Sequence, residues 1–366
     1  MNDDVRRVLL ICGASDTVIN FRRSFIKKLI AENVSVAVVA FDDKRKSEIE
    51  QLGVRFFSSN DSNRNANPLK IFDLKKKYMN IIKEVEPDVV FTFMLKPNTI
   101  GVQAAYKACV KNIYSMVEGA GDVFINNSLK WKIIRRGVCY LYKSAFKKVK
   151  KVFFLNQDDK KDFIERKLVD DNKTVVIPGI GVDTVHFAFK EAKNVDKFLM
   201  IARMLTTKGV LEYCNAARIV KQYKKDVTFD YIGAEGTLKI SDIQEFIDDG
   251  TINYIGTTKD VRPYLEDCAV FVLPSYREGM PMSIMEAESV GRAVITTDTN
   301  GCRDTVLDGY NGKIVQKGDV EGLANAMIWC LDNPDEIVKM GQNSRRFAED
   351  KFEQGKINQQ ILEGIE

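Results

Sequence analysis

The chain has 366 residues, 45% of them hydrophobic and 29% charged, with a formal net charge of +4. That balance belongs to a globular chain long enough for two ordinary domains, and no window approaches the roughly 18 apolar residues of a transmembrane helix. The seven cysteines include no C-x2-C pair and read as reduced thiols, not as a zinc site or a disulfide frame. The acidic start Met1-Asn2-Asp3-Asp4 runs straight into a strand, so no secretory signal is expected and the location reads as cytoplasmic. Charge is unevenly spread: residues 1–186 hold 33 Lys and Arg against 22 Asp and Glu, net +11, and the remainder is net −7. The first half therefore suits an anionic partner, a membrane surface or a nucleic acid.

Arg7–Cys12 opens the chain as a strand, Gly13-Ala14-Ser15 ends it, and a helix follows from about Asn20 to Ala31. The turn is not G-x-G-x-x-G, which disfavours a dehydrogenase-type dinucleotide site. Strands then recur at Val34–Ala40, Val54–Phe57, Asp88–Phe93, Lys111–Met116, Lys151–Leu155 and Thr174–Ile177, with helices at Leu69–Val85 and Asn98–Val110. Alternating strand and helix means a parallel sheet covered on both faces. Leu129–Lys151 interleaves Lys and Arg with apolar and aromatic residues, so it reads either as an interfacial helix on an anionic membrane or as a packed helix with a solvated basic face.

The Pro and Gly cluster at Pro178–Asp183 marks a linker. His186, the single histidine, falls in this turn and reads as linker packing. The pattern then restarts with strands at Phe198–Ala202, Val227–Ile232, Ile252–Ile255, Val270–Leu273 and Ala293–Thr297. Helices are expected at Val210–Lys221, Ser241–Asp248, Val261–Glu266 and Asp319–Leu331, and the tail from Pro334 reads as one or two more. The expected domains are 1–180, 181–345 and a last helix, 346–366, that crosses back to the first.

Chemistry concentrates in strand-to-helix turns. After Val270–Leu273 comes the loop Tyr276–Met280, and Pro281 suits the first turn of a helix. Glu278 lies in this loop and Glu286 in the helix, on the order of 10 Å apart at ~1.5 Å of rise per residue. That is too far to share a proton or a metal, and it suits the two hydroxyl-bearing ends of a nucleotide-sugar. Gly279 lets the backbone approach a ligand. Arg203 and Lys208 flank a turn before another helix start and make a diphosphate clamp.

Glu278, seven residues, then Glu286, within Glu278-Gly279-Met280-Pro281 and Met285-Glu286-Ala287, resembles the E-x7-E signature of the family 4 retaining glycosyltransferases. Arg203 to Gly209 resembles that family's G-R-L-x-x-x-K-G segment, with Ala202 and Met204 replacing its Gly and Leu. Tyr254-Ile255-Gly256-Thr257 resembles its F-x-G segment. The loop from Asp298 to Asp304 resembles G-G-x-x-E, with Asn300 for a Gly. The resemblance implies a GT-B fold, two Rossmann-like domains, and transfer of a hexose or N-acetylhexosamine from a UDP-linked donor with retention. The donor would meet Arg203, Lys208, Gly256, Thr257, Glu278, Gly279, Met280, Pro281, Glu286 and Gly13.

Lys96-Pro97-Asn98 and Glu118-Gly119-Ala120-Gly121 resemble segments of bacterial transferases that extend polyprenyl-diphosphate-linked sugars for capsule, exopolysaccharide or O-antigen. By that likeness Lys96 and Asn98 belong to the acceptor side, and Glu118 binds the acceptor hydroxyl or acts as its base. Catalysis would fall to Glu278, Arg203, Lys208 and Glu118. No D-x-D triplet or His/Cys cluster occurs, so neither a metal nor a cofactor is expected. Two other readings stand beside this one: a GT-B nucleotide-sugar epimerase, and a non-catalytic protein binding nucleic acid or another anion through the basic half.

Overall fold

The computed structural model describes residues 7–61, 68–119, 122–125 and 128–365. Two compact units divide the chain: Gly181–Gln354 forms one, and residues up to Ile180 together with Gly355–Glu366 form the other.

The first unit holds strands β1 (Arg7–Ile11), β2 (Ser35–Ala40), β3 (Arg55–Ser58), β4 (Val89–Phe93), β5 (Asn112–Val117), β6 (Lys151–Phe154) and β7 (Thr174–Val176). They form one parallel sheet in the order β3-β2-β1-β4-β5-β6-β7, with Val8 in register with Val36 on one side and Val89 on the other. All five residues of β4 are buried, as expected of a central strand covered on both faces. The Phe91 ring stacks on Phe93 with centroids 4.5 Å apart and lies 5.4 Å from Phe153. Strand order reverses between β1 and β4, the place where open α/β sheets bind ligands beyond their strand ends.

The second unit repeats the plan with β8 (Lys197–Ile201), β9 (Thr228–Ile232), β10 (Asn253–Gly256), β11 (Val270–Leu273), β12 (Ala293–Thr297) and β13 (Gly312–Val315). Its sheet is also parallel, in the order β10-β9-β8-β11-β12-β13, and reverses between β8 and β11.

Several features depart from the sequence reading. β13 escapes notice because an edge strand of four residues with one lysine carries little apolar signal. The helix Gln157–Glu165 is hidden by six charged residues in nine, although Asn156 caps it by accepting from the Asp159 N–H at 2.7 Å. The helix expected at Asn98 opens with a π-turn, Pro97–Gly101, after Met94 at φ 74°. The tail rejoins the first unit at Gly355, not at residue 346. Arg345 donates to the Thr184, Phe187 and Ser289 carbonyls, and Lys351 donates to the Asp304 carbonyl, which keeps the intervening turn with the second unit. Only the helix Gln354–Gly364 packs with the first, where the Asn358 amide donates to Ser24 Oγ at 2.6 Å.

Candidate active site

In the second unit, the loops after β8, β11 and β12 converge at the strand-order reversal. Lys208, in a 3-10 turn after β8, donates from Nζ to Glu278 Oε1 at 2.5 Å. Ser275 Oγ lies 2.7 Å from the same oxygen and 3.0 Å from the Thr207 carbonyl, so its one proton has both as acceptors. The loop backbone is fixed on both flanks: the Tyr276 N–H donates to the Thr207 carbonyl and the Glu278 N–H to the Asn300 carbonyl. Thr297 and Thr299 hydroxyls donate to the Ser275 carbonyl.

Two glycines permit this convergence. Gly209 has φ +73°, and a Cβ there would collide with the Pro274 carbonyl. Gly301 has φ +77°, and a Cβ would come within 2.6 Å of the Glu278 and Gly279 carbonyl oxygens. Any side chain at either place would push the loops apart.

Arg203 is exposed at the end of β8, and no described side chain partners it. Glu286 is half-buried on the helix Met282–Val290, four residues beyond its start, and no described side chain partners it either. Loss of solvent pushes its carboxyl up to about 7. Pro281 caps this helix from outside its first turn, with ψ 109°. Met280 and Pro281 are both buried, so they offer a ligand backbone and little side chain. Gly256 ends β10 at φ +85° with open space where a Cβ would stand, and Thr257 beside it is exposed.

The sites expected in the first unit fare differently. Asn98 is fully buried: its Oδ1 accepts from Thr92 Oγ1 and its Nδ2 donates to the Met116 carbonyl, each at 2.7 Å. It therefore ties β4 to β5 and is not an acceptor ligand, a correction that burial explains. Lys96 is paired with Asp61 at 2.7 Å, and both side chains are largely enclosed, so it would reach an acceptor phosphate only by breaking that pair. Gly13 also belongs to this unit, and the Met94 sulfur occupies the space its Cβ would need, a reason for glycine that requires no ligand. Glu118 follows β5 and pairs with Arg22 of the helix Ser15–Ala31. Gly119 beside it has φ 143°, and Ala120 and Gly121 lie outside the described residues.

His186 is exposed, with its ring edge-on to Phe187 and its N–H donating to Asp183 Oδ1. It stays a turn residue. Sequence reasoning missed Ser275, the threonines of the β12 loop and Arg22. Arg22 left a legible sign, since it shares the apolar stripe of Val18, Phe25, Ile26 and Leu29 on its helix. Among the described residues no group of three or more His, Cys, Asp or Glu side chains is placed to hold a metal ion.

Residues 195–333 match the family model described as Glycosyl transferases group 1, and residues 7–156 match Glycosyl transferase 4-like. The N,N'-diacetylbacillosaminyl-diphospho-undecaprenol alpha-1,3-N-acetylgalactosaminyltransferase of Campylobacter jejuni is 26% identical over 93% of this chain and 94% of its own length. The UDP-Gal:alpha-D-GlcNAc-diphosphoundecaprenol alpha-1,3-galactosyltransferase of Escherichia coli is 28% identical over 72% of this chain and 71% of its own. Among solved structures, HepE of Anabaena in complex with UDP-glucose superposes with a TM-score of 0.80 at 18% identity, over 97% of this chain and 98% of that one. That likeness establishes the shared fold.

Proposed function

Because the chain belongs to the group 1 glycosyltransferases and has the GT-B type of architecture, we propose that it moves a hexose or N-acetylhexosamine from a UDP-sugar to a polyprenyl-diphosphate-linked glycan, with retention. The observation that carries this reading is the pairing of Lys208 with Glu278 at the strand-order reversal of the second sheet, with Arg203 exposed in the same loop after β8. In the ligand-free protein the Glu278 carboxylate occupies the Lys208 ammonium. A donor diphosphate is the natural replacement, and Glu278 then turns to the sugar hydroxyls. Glu286 accepts from the ribose hydroxyls, and the backbone near Gly256 and Thr257 meets the base.

In the transfer step the bond from the sugar C1 to the phosphate oxygen breaks, and the acceptor oxygen bonds to C1 on the same face. The acceptor proton passes to the departing phosphate oxygen. Arg203 and Lys208 neutralise the charge that develops on the diphosphate, so the step needs neither a metal nor a protein nucleophile. The names of both enzymes cited above, which carry alpha linkages and diphospho-undecaprenol acceptors, support this choice.

The acceptor class also gives the basic helix Leu129–Phe146 a partner, the anionic membrane surface. The helix has no Asp or Glu, and Leu129, Ile133 and Tyr140 share one face at 76%, 63% and 74% exposure. Lys132, Arg136 and Lys143 border that face and are exposed. Burying apolar side chains among anionic headgroups is the use such a face serves. Among the described residues no helix is long and apolar enough to cross a membrane. Leu129→Glu with Ile133→Glu should abolish sedimentation with phosphatidylglycerol vesicles; unchanged sedimentation would remove the membrane from the reading.

The activity is tested by incubating the purified protein with UDP-sugars and a short-chain prenyl-diphosphate-linked glycan, then reading the anomeric configuration of the product by NMR. An alpha-linked product is expected. Interconversion of the UDP-sugar without any acceptor would favour an epimerase instead.

A further inference from the structure

Arg22 is a cation on the wrong side of an amphipathic helix. The helix Ser15–Ala31 turns Val18, Ile19, Phe25 and Ile26 inward, and Arg22 joins them at 4% exposure. An ionised group taken this far out of water costs several kcal/mol unless its partners are well placed. Here the guanidinium carbon lies 4.1 Å from the centroid of the Phe93 ring. Nη1 donates to the Phe21 carbonyl at 3.1 Å, and Nη2 meets Glu118 Oε1. Burial pushes the guanidinium down to about 10, so it remains charged at neutral pH.

The pair is asymmetric. The arginine end is sealed, while the Glu118 side chain keeps 20% of its surface open just beyond β5, at the edge of the sheet where ligands bind. A fixed planar fork stacked on an aromatic ring holds one carboxylate oxygen, Oε1, while a fifth of the Glu118 side chain stays open. Arg22 is too deeply buried to meet an acceptor phosphate itself.

We propose that Arg22 is a positioning residue that holds the Glu118 carboxylate in place, so that its open part accepts a hydrogen bond from the attacking hydroxyl of the acceptor. This inference rests on the transferase reading, and it assigns Glu118 to acceptor orientation in place of general base catalysis. The proton still leaves with the phosphate oxygen, so no group in the first unit has to take it.

Steady-state kinetics of Arg22→Met, Arg22→Lys, Glu118→Gln and the double variant Arg22→Met with Glu118→Gln test it, with folding checked by circular dichroism. Loss of one charge-assisted hydrogen bond should raise the acceptor KM about tenfold in Arg22→Met and in Glu118→Gln. The donor KM should stay within about twofold of the wild type, Arg22→Lys should recover part of the loss, and the double variant should be no worse than the weaker single one. An unchanged acceptor KM in folded Arg22→Met, additive losses, or a donor KM that rises in step would overturn the proposal. Should Arg22→Met fail to fold, Glu118→Gln and Arg22→Lys decide alone, and an unchanged acceptor KM in Glu118→Gln overturns it. A wild type that neither binds a UDP-sugar nor transfers it would sink the transferase reading instead, so the two failures are distinguishable.

Discussion

Each unit sets an acid against a base at the carboxyl edge of its sheet, but the two pairs are built for different work. Lys208 and Glu278 come from adjacent loops, the lysine the more open of the two, and the cation sits on a flexible four-carbon stem. Arg22 comes from a helix, is sealed against Phe93, and meets a Glu118 that alone of the two keeps part of its surface open. The first pair can come apart when a diphosphate offers Lys208 a better partner; the second cannot without leaving a buried cation. In the proposed mechanism the edge of the second unit holds a displaceable internal ligand, and the edge of the first holds a fixed one. Lysine suits the former as a mobile point charge, and arginine the latter as a rigid fork.

The largest effect should come from Glu278→Gln, which keeps the shape and removes the charge that receives the sugar hydroxyls. A fall of about a hundredfold in kcat/KM is expected, the loss of one or two hydrogen bonds to a charged group. Activity near that of the wild type would mean that the Lys208–Glu278 pair only braces the loop. The comparison sharpens further in stability. Glu118→Ala strands a buried guanidinium and should cost about 3 kcal/mol in denaturant unfolding. Lys208→Ala leaves a carboxylate that Ser275 and solvent still serve, and should cost about 1 kcal/mol or less. Equal losses would erase the distinction between a fixed pair and a displaceable one.

Glu286 supplies a smaller effect with a definite sign. Its folded value of about 7 lies above the ordinary 4.5, so it weakens the fold as pH rises from the lower value to the higher. Its anion is the form that accepts from the ribose. Binding of a UDP-sugar, whose own diphosphate does not titrate here, should tighten by up to about tenfold between pH 6 and pH 8. In Glu286→Gln both trends should flatten, as titration calorimetry and thermal unfolding across that range would show.

Much of this arrangement was legible before any coordinates. Strand and helix alternation gave both sheets, because central parallel strands must be apolar on both faces, and Val89–Phe93 and Val270–Leu273 announce themselves that way. Edge strand β13 and the charged helix Gln157–Glu165 did not, since each buries too little to carry a period. At the edge formed by β8 and β11, Arg203, Lys208 and Glu278 stood out because they lie in strand-to-helix turns, and the structure brings Lys208 to Glu278. The edge of the first unit was less readable. Asn98 looked like a loop ligand and is an interior clamp between two strands. Arg22 lies 96 positions from Glu118, so only its place in an apolar stripe hinted at a buried partner. Contacts of that kind are set by tertiary packing, which local pattern does not encode.

The most direct single measurement is calorimetric titration of a UDP-sugar, without metal, into the wild type and into the double variant Arg203→Ala with Lys208→Ala. Removing two cations from a diphosphate should weaken binding by about a thousandfold while the fold persists. Equal affinity in both proteins would contradict the clamp, and with it the placing of the donor at the edge formed by β8 and β11.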